Sequence, residues 1–241
     1  MSKIDLSSGL DAALTALVAG LTETLDDATE EGVHRNVIEF YNDMMEIALV
    51  HQDSSVKLAE SAVAFFSERA LNWPLCLFLE LLARCLFNAG RVHDGCLQLE
   101  RLAYNVRSDD RRASLIELAG EASQIANEYS ADVSPIILAS LTRVYTALYE
   151  SQLLVETFLQ AASIYSSHGA QKAAYSCLED AETIGRAENS LTLLAKVYAE
   201  TAVAAYELQD FASSIAAGNR CLGSHPYGCN DHLVAGKCAK F

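Results

Sequence analysis

Helix-breaking residues are scarce in this chain, which has 3 prolines and 12 glycines in 241 residues. Proline and glycine are the residues least compatible with a helix interior, so their scarcity beside abundant alanine, leucine and glutamate favours helices over strands. Basic residues are also few, with 17 Lys and Arg against 32 Asp and Glu, and the net charge is −15. Such a chain is repelled by phosphate backbones and anionic lipid surfaces. We therefore predict an all-α protein that favours basic or neutral partners over nucleic acid and membranes.

Long hydrophobic runs are also lacking, although hydrophobic residues make up 51% of the chain and supply ample material for a core. The most hydrophobic window, residues 74–87, contains Glu80 and Arg84 and is too short to span a bilayer. The apolar segment from Leu10 carries Asp11 and is a poor signal peptide. The 7 cysteines form an odd set without the spacing of a disulfide scaffold. We predict reduced cysteines and a cytoplasmic or nuclear location.

What the chain does have is an internal repeat. The segment 195–226 reads as a helix with small residues on one face, a break at Gln209-Asp210, a second helix with Phe211, and a stop at Pro226. Segments that start at 155 and 76 follow the same plan, so the starts are separated by 40 and 79 residues, close to one and two periods. One helical pair cannot bury its apolar stripe alone, so such pairs must stack on their neighbours, with small residues where helices cross closely.

The repeat predicts a single domain over residues 1–241. Its units are placed at 33–72, 73–109, 110–150, 153–188 and 190–226, with an extra N-terminal helix at 3–27 and a C-terminal helix at 229–240. The last helix has no partner helix, which suggests that the chain is a fragment of a longer protein.

The segment 195–226 resembles the tetratricopeptide repeat family in Tyr198, Ala202, the turn Gln209-Asp210-Phe211 and the closing Pro226. The resemblance is fair over 155–186 and weak over 76–107. The period of about 40 departs from the family's usual 34, and the proline recurs in one unit only. The resemblance implies a right-handed α-solenoid of about five antiparallel helix hairpins with an extra N-terminal helix, acting as a non-enzymatic scaffold or adaptor and as a subunit of a larger complex.

The same resemblance implies that a partner protein segment, extended or helical, binds along a concave face formed by the first helices. Carried over by position, this face consists of Glu80, Arg84, Asn88, Glu156, Gln160, Ser163, Ser167, Lys196, Glu200, Val203 and Glu207. It is mainly acidic, so we expect a basic or amphipathic partner and no cofactor. Members of the family that bind the C-terminal carboxylate of heat-shock chaperones use several basic residues at these positions. Because the face of this chain is mainly acidic, we do not expect that ligand. The alternative interpretation of these residues is a solvated helix surface.

Two patterns raise the question of a metal or an enzyme. Residues Cys221, His225, Cys229, His232 and Cys238 include the soft ligands that zinc prefers, but the close C-x2-C pair of a zinc knuckle is missing. Cys221 also falls at a small-residue packing position, which predicts a buried thiol rather than a ligand. His93-Asp94, with His51 as a conceivable partner, is similar to the pattern of metal-dependent phosphohydrolases, but the doublet falls in a predicted turn. We predict no enzymatic activity.

Two further alternatives concern binding. Arg101, Arg107, Arg111 and Arg112, interrupted by Asp109-Asp110, could hold an anion. The chain is similar to the 14-3-3 family in its acidity, helix content and length, which would imply binding of a phosphopeptide. Arg143 and Tyr145 are the only residues that resemble the Arg/Tyr pocket of that family. The other alternative is that the apolar window around 73–87 packs against another subunit, which makes the protein a structural assembly subunit or a homodimer.

Overall fold

A computed structural model describes residues 9–27, 30–106, 109–128 and 134–224. Within these ranges every regular element is an α-helix, which confirms the all-α prediction. The helices are α1 Leu10–Asp27, α2 Glu30–Val50, α3 Gln52–Glu68, α4 Asn72–Asn88, α5 Val92–Asn105, α6 Asp109–Glu128, α7 Ser134–Leu148, α8 Ser151–Ser167, α9 Gln171–Ala187, α10 Leu191–Glu207 and α11 Phe211–Gly223. The predicted helix at 229–240 and Pro226 lie outside the described residues.

The chain divides into two compact units, Met1–Ala122 and Ser123–Phe241. In the first unit α4 packs on α2, α3 and α5, while α1 packs on α2 and α3. In the second unit α8 packs on α7, α9 and α10, and α10 packs on α9 and α11. Most of these helices therefore pack mainly against their neighbours in the chain. The finer division of residues 1–241 into one domain of five repeated units stays a prediction.

The core of the first unit is built around α4. Residues Pro74 to Ala83 of this helix are all buried, because a helix that is apolar on every side must be covered on every side. The rings of Phe66 and Phe78 stack with their centroids 5.2 Å apart. The window around 73–87, predicted as an alternative surface for another subunit, thus lies mostly in the interior of this unit.

The second unit packs its helices closely through small side chains. Ala202 and Ala205 of α10 and Ser214 of α11 are buried, and the Ser214 hydroxyl donates a hydrogen bond of 2.9 Å to the Ala202 carbonyl oxygen. This agrees with the close helix approach predicted from these residues. Tyr206 and Phe211 lie on either side of the turn between α10 and α11. Their side chains are about half exposed and contact each other edge to face, with centroids 5.7 Å apart.

One turn geometry recurs between helices. Its central residue has positive φ at Ala70, Gly90, Tyr149, Gly169, Asn189 and Gln209. In each case the N–H of the following residue donates back to the carbonyl five residues earlier, as from Arg91 to Leu86 at 2.8 Å, the left-handed closure that ends many helices. His51 separates α2 from α3, and Gln52, Asp53 and Ser54 follow it. These residues form the first turn of α3, where Asp53 suits the positive end of the helix dipole.

The turns allow a first prediction. Gly169 has φ +75°, and a Cβ built there would meet nothing within 4 Å, so Gly169→Ala adds backbone strain without a clash. We expect the free energy of unfolding to fall by about 1 kcal/mol, measured by urea denaturation. Tyr149→Gly, at the equivalent turn with φ 57°, should raise stability instead, since it relieves the same strain. A loss of stability in both variants, or a gain in both, would contradict the strain argument.

Candidate partner-binding face

Two helices of the second unit, α8 and α10, run side by side in the same direction. Near their starts, the Glu156 carboxylate lies 3.1 Å from the Lys196 ammonium nitrogen. Near their ends, the Ser166 hydroxyl donates a hydrogen bond of 2.8 Å to the Glu207 carboxylate. The two contacts join residues 40 and 41 positions apart. Because the separation is nearly the same at both ends, the helices are parallel.

The sequence-predicted residues of the second unit follow one face of each of these helices. Both sets have the spacing i, i+4, i+7 and i+11, which places side chains on one side of a helix. They are Glu156, Gln160, Ser163 and Ser167 on α8, and Lys196, Glu200, Val203 and Glu207 on α10. Gln160 also reaches α6, where its amide donates to the Ser123 carbonyl oxygen at 3.0 Å and its side-chain oxygen accepts from the Ser123 hydroxyl at 2.7 Å.

Five of these eight residues line one open cavity of about 170 Å³ between α8, α9 and α10. Its full lining is Leu159, Ala162, Ser163, Ser166, Ser167, Leu178, Glu200, Val203, Ala204 and Glu207. Ala162, Leu178 and Ala204 are buried and form an apolar floor, whereas Ser163, Ser167 and Glu207 are exposed at the rim. A side chain with an aliphatic stem and a cationic end fits this arrangement, because the floor can cover the stem while carboxylates and hydroxyls accept hydrogen bonds from the cation.

Sequence reasoning missed Ser166 and the floor residues. Ser166 pairs with Glu207 at a separation of 41 residues, which the 40-residue offset used to carry positions between repeats does not find. The floor residues Ala162, Leu178 and Ala204 carried a signal, since small or apolar residues at helix crossings were predicted, but that signal indicates packing and not the wall of a cavity.

The opposite side of α10 is occupied by a polar network with a structural role. Glu182 of α9 accepts hydrogen bonds from Arg186 at 2.6 Å and from the Tyr198 hydroxyl at 3.0 Å. Burial by itself raises the pKa of Glu182, but these hydrogen bonds outweigh it and hold the pKa below its usual value. The pKa of Tyr198 is raised, first by burial and then by its bond to Glu182. Tyr198, the aromatic of the family resemblance, therefore joins α9 to α10.

In the first unit the predicted residues Glu80, Arg84 and Asn88 have different environments. Glu80 is 5% exposed, and its carboxylate accepts from Ser114 at 2.8 Å and from Arg111 at 3.2 Å. The accessible position predicted for Glu80 is therefore wrong, because α6 covers it. Arg84 bridges Glu80 at 3.5 Å and Glu121 at 3.2 Å, and Asn88 is exposed.

Arg84 and Asn88 do line a second cavity, of about 180 Å³, which is mostly apolar. The other lining residues are Met45, Ala48, Leu49, Leu81, Cys85, Phe87 and Glu121. Leu49 is 81% exposed, so an apolar side chain stands at its edge. Within the first unit this cavity lies mainly between α2 and α4.

The described candidates for a metal site have other contacts in the structure. Cys221 is buried against Ala195, Tyr198 and Ala199, as its packing position predicts. The other candidates, His225, Cys229, His232 and Cys238, lie outside the described residues. Within the part of the chain that the structure describes, there is no group of three or more His, Cys, Asp or Glu side chains placed to hold a metal ion. Asp94 of the His93-Asp94 doublet pairs with Arg91 at 2.8 Å.

The candidate anion sites are also engaged elsewhere. Arg111 binds Glu80, and Arg101 donates to Gln98 at 2.8 Å, while Arg107 lies outside the described residues. Arg143 donates to the Ser140 hydroxyl at 3.2 Å. Tyr145, the other part of the 14-3-3 echo, is 3% exposed, and its pKa is raised to about 12 by burial and by the nearby Glu156. Arg101, Arg111 and Arg143 therefore bind side chains of this chain.

No protein-family model matches this chain, and a search of curated proteins found no significant match. None of the described helices combines the length and the apolar character needed to cross a membrane.

Proposed function

We propose that this protein is a non-enzymatic scaffold or adaptor that binds a segment of a partner protein along the face formed by α8 and α10. In this proposal the helices are the antiparallel hairpins of a right-handed, tetratricopeptide-like α-solenoid, and the parallel first helices form its concave side. The observation that carries the proposal is that five residues selected from the sequence as partner-facing line one cavity. A complex that contains the partner would be the protein's working state.

The chemistry of the cavity favours a basic partner. Glu200 and Glu207 contribute carboxylates to its wall, and the chain as a whole carries a net charge of −15. A lysine or arginine side chain of the partner would lay its methylene groups on Leu159, Ala162 and Leu178 and place its cation near the carboxylates. The apolar contact supplies affinity, while the acidic surface speeds the encounter with a basic segment and makes binding sensitive to salt.

Charge reversal within the cavity tests this proposal. Proteins captured by the wild-type chain are identified and the binding of one of them, as a purified protein or peptide, is titrated by fluorescence anisotropy. We expect Glu200→Lys to raise the Kd at least about tenfold, a loss of ~1.4 kcal/mol, because a cation then faces a basic ligand. The melting temperature should stay within a few degrees of the wild-type value.

The matched control is Asp180→Lys. Asp180 is an exposed acid of the same unit that does not line the cavity, and its substitution changes the net charge by the same amount. Its Kd should stay near the wild-type value. If both variants weaken binding equally, net charge alone attracts the partner, and if Glu200→Lys loses stability with binding intact, Glu200 does not contact it. Either result contradicts the proposal.

A further inference from the structure

Two acids stand on the α10 wall of the cavity between α8, α9 and α10. Glu200 and Glu207 both line this cavity, and Val203 lies between them on the same wall. The three residues are spaced i, i+3 and i+7, which places them on one side of α10. At a rise of about 1.5 Å per residue, the backbone positions of the two glutamates are about 10.5 Å apart along the helix axis. The wall is therefore an apolar residue between two acids that are two helical turns apart.

The same face already binds a cation that belongs to the chain itself. Lys196 lies one turn before Glu200 on α10, and its ammonium nitrogen is 3.1 Å from the Glu156 carboxylate of α8. At the other end of the face, the Ser166 hydroxyl of α8 donates to the Glu207 carboxylate at 2.8 Å and so holds it in place. Among the residues that line the cavity, the two acids are Glu200 and Glu207. These two carboxylates are therefore the groups that the cavity wall presents to a basic partner.

The spacing of the two acids discriminates between conformations of a basic partner segment. In an extended strand, residues on the same side are about 6.6 Å or about 13 Å apart, and neither distance matches the two glutamates. In an α-helix, residues i and i+7 lie on one side and repeat the spacing of Glu200 and Glu207. Residue i+4 of such a helix lies between them and faces Val203. A helix therefore fits the wall better than a strand does.

We propose that the cavity binds an α-helix of the partner with basic residues at i and i+7 and a large apolar residue at i+4. The two basic side chains pair with Glu200 and Glu207, and the apolar side chain covers Val203 and the apolar floor of the cavity. Opposite charges then face each other on both sides of an apolar contact, and this complementarity fixes the register of the partner. The inference rests on the function proposed above and adds the conformation and the residue pattern of the partner segment.

Synthetic peptides test this pattern on the full chain by fluorescence anisotropy. The matched probe is an alanine-rich peptide of about 20 residues, long enough to be helical alone, with Lys at i and i+7 and Leu at i+4. Its isomer has the second Lys at i+5, on another side of the helix, and a third probe has Pro at i+3, which breaks the helix. We expect the matched probe to bind at least about fivefold more tightly than either of the others, because it alone sets both cations against both acids.

Variants of the protein locate the peptide. Glu200→Gln and Glu207→Gln keep the shape of the side chain and remove its charge, so each should weaken the matched probe and reduce its advantage over the isomer. Asp180→Asn removes an exposed acid that does not line the cavity and should leave both unchanged. Circular dichroism checks that each variant keeps its helices.

The outcomes separate this inference from the function on which it rests. An isomer or a proline probe that binds within about twofold of the matched probe overturns the inference, and so does a matched probe without measurable binding. The proposed function is judged by the captured partner instead. It fails if Glu200→Lys leaves that partner bound, and it stands if Glu200→Lys weakens that partner while the peptides show no preference for the helical pattern.

Discussion

Phe78→Ala is expected to lower the free energy of unfolding of the first unit by about 4 kcal/mol. Phe78 is 0% exposed at the centre of α4. Its ring stacks on Phe66 at 5.2 Å and meets Tyr41 edge to face at 6.1 Å. The substitution removes the burial of a large ring, both aromatic contacts and the support of three helices, and it leaves a cavity that neighbouring helices cannot close without shifting. The expected loss therefore includes both the lost free energy of burying the ring and the cost of the cavity that remains.

The single tryptophan makes this measurement specific to the first unit. Trp73 lies at the start of α4 and contacts His34 of α2, with ring centroids 4.1 Å apart, so its fluorescence in urea reports unfolding of that unit. The control is Tyr104→Ala, at a side chain that is 70% exposed, for which we expect a loss below about 0.5 kcal/mol. A similar small loss for Phe78→Ala would contradict the placement of α4 in the core.

Helix positions could be predicted well because their signals are local. Gly90, Gly169 and Gln209 mark turns in the sequence, and the apolar residues between them repeat at helical spacing. The turns at Ala70, Tyr149 and Asn189 adopt the same left-handed geometry without glycine. Ala70 and Tyr149 give no local signal for this geometry, whereas asparagine, as at Asn189, adopts it more readily than most residues.

The residues of the candidate site also differ in whether local sequence could predict their environment. Ser163, Ser167, Glu200, Val203 and Glu207 were carried over by position from the family resemblance. They do share a cavity, because their helical spacing places them on one face of each helix. Glu80 was selected by the same rule but is buried, since α6 supplies Arg111 and Ser114 from more than thirty residues away. Helical spacing identifies a face and cannot say which other helix covers it.

Glu80→Ala is the second substitution for which we expect a large effect, a loss of about 3 kcal/mol in the free energy of unfolding. The Glu80 carboxylate is buried and accepts from Ser114 and Arg111, so its removal leaves these donors unpaired within the first unit. The Trp73 fluorescence transition in urea measures this loss as well. Arg84→Glu should also destabilise this unit, because Arg84 bridges Glu80 and Glu121.

A comparison of two acids that the sequence treats alike shows whether this assignment is correct. Glu200→Ala, in the cavity wall of the second unit, should cost at most about 1 kcal/mol, because Glu200 is only partly buried and solvent screens the interactions of its carboxylate. For the double variant Glu80→Ala with Arg111→Ala, the loss in the free energy of unfolding should be at least about 1 kcal/mol smaller than the sum of the two single losses. The reason is that each single variant leaves the other charge without its partner. If the losses add, or if Glu80→Ala is as harmless as Glu200→Ala, the two side chains do not support each other. Glu80 would then return to the partner-facing set in which the family resemblance had placed it.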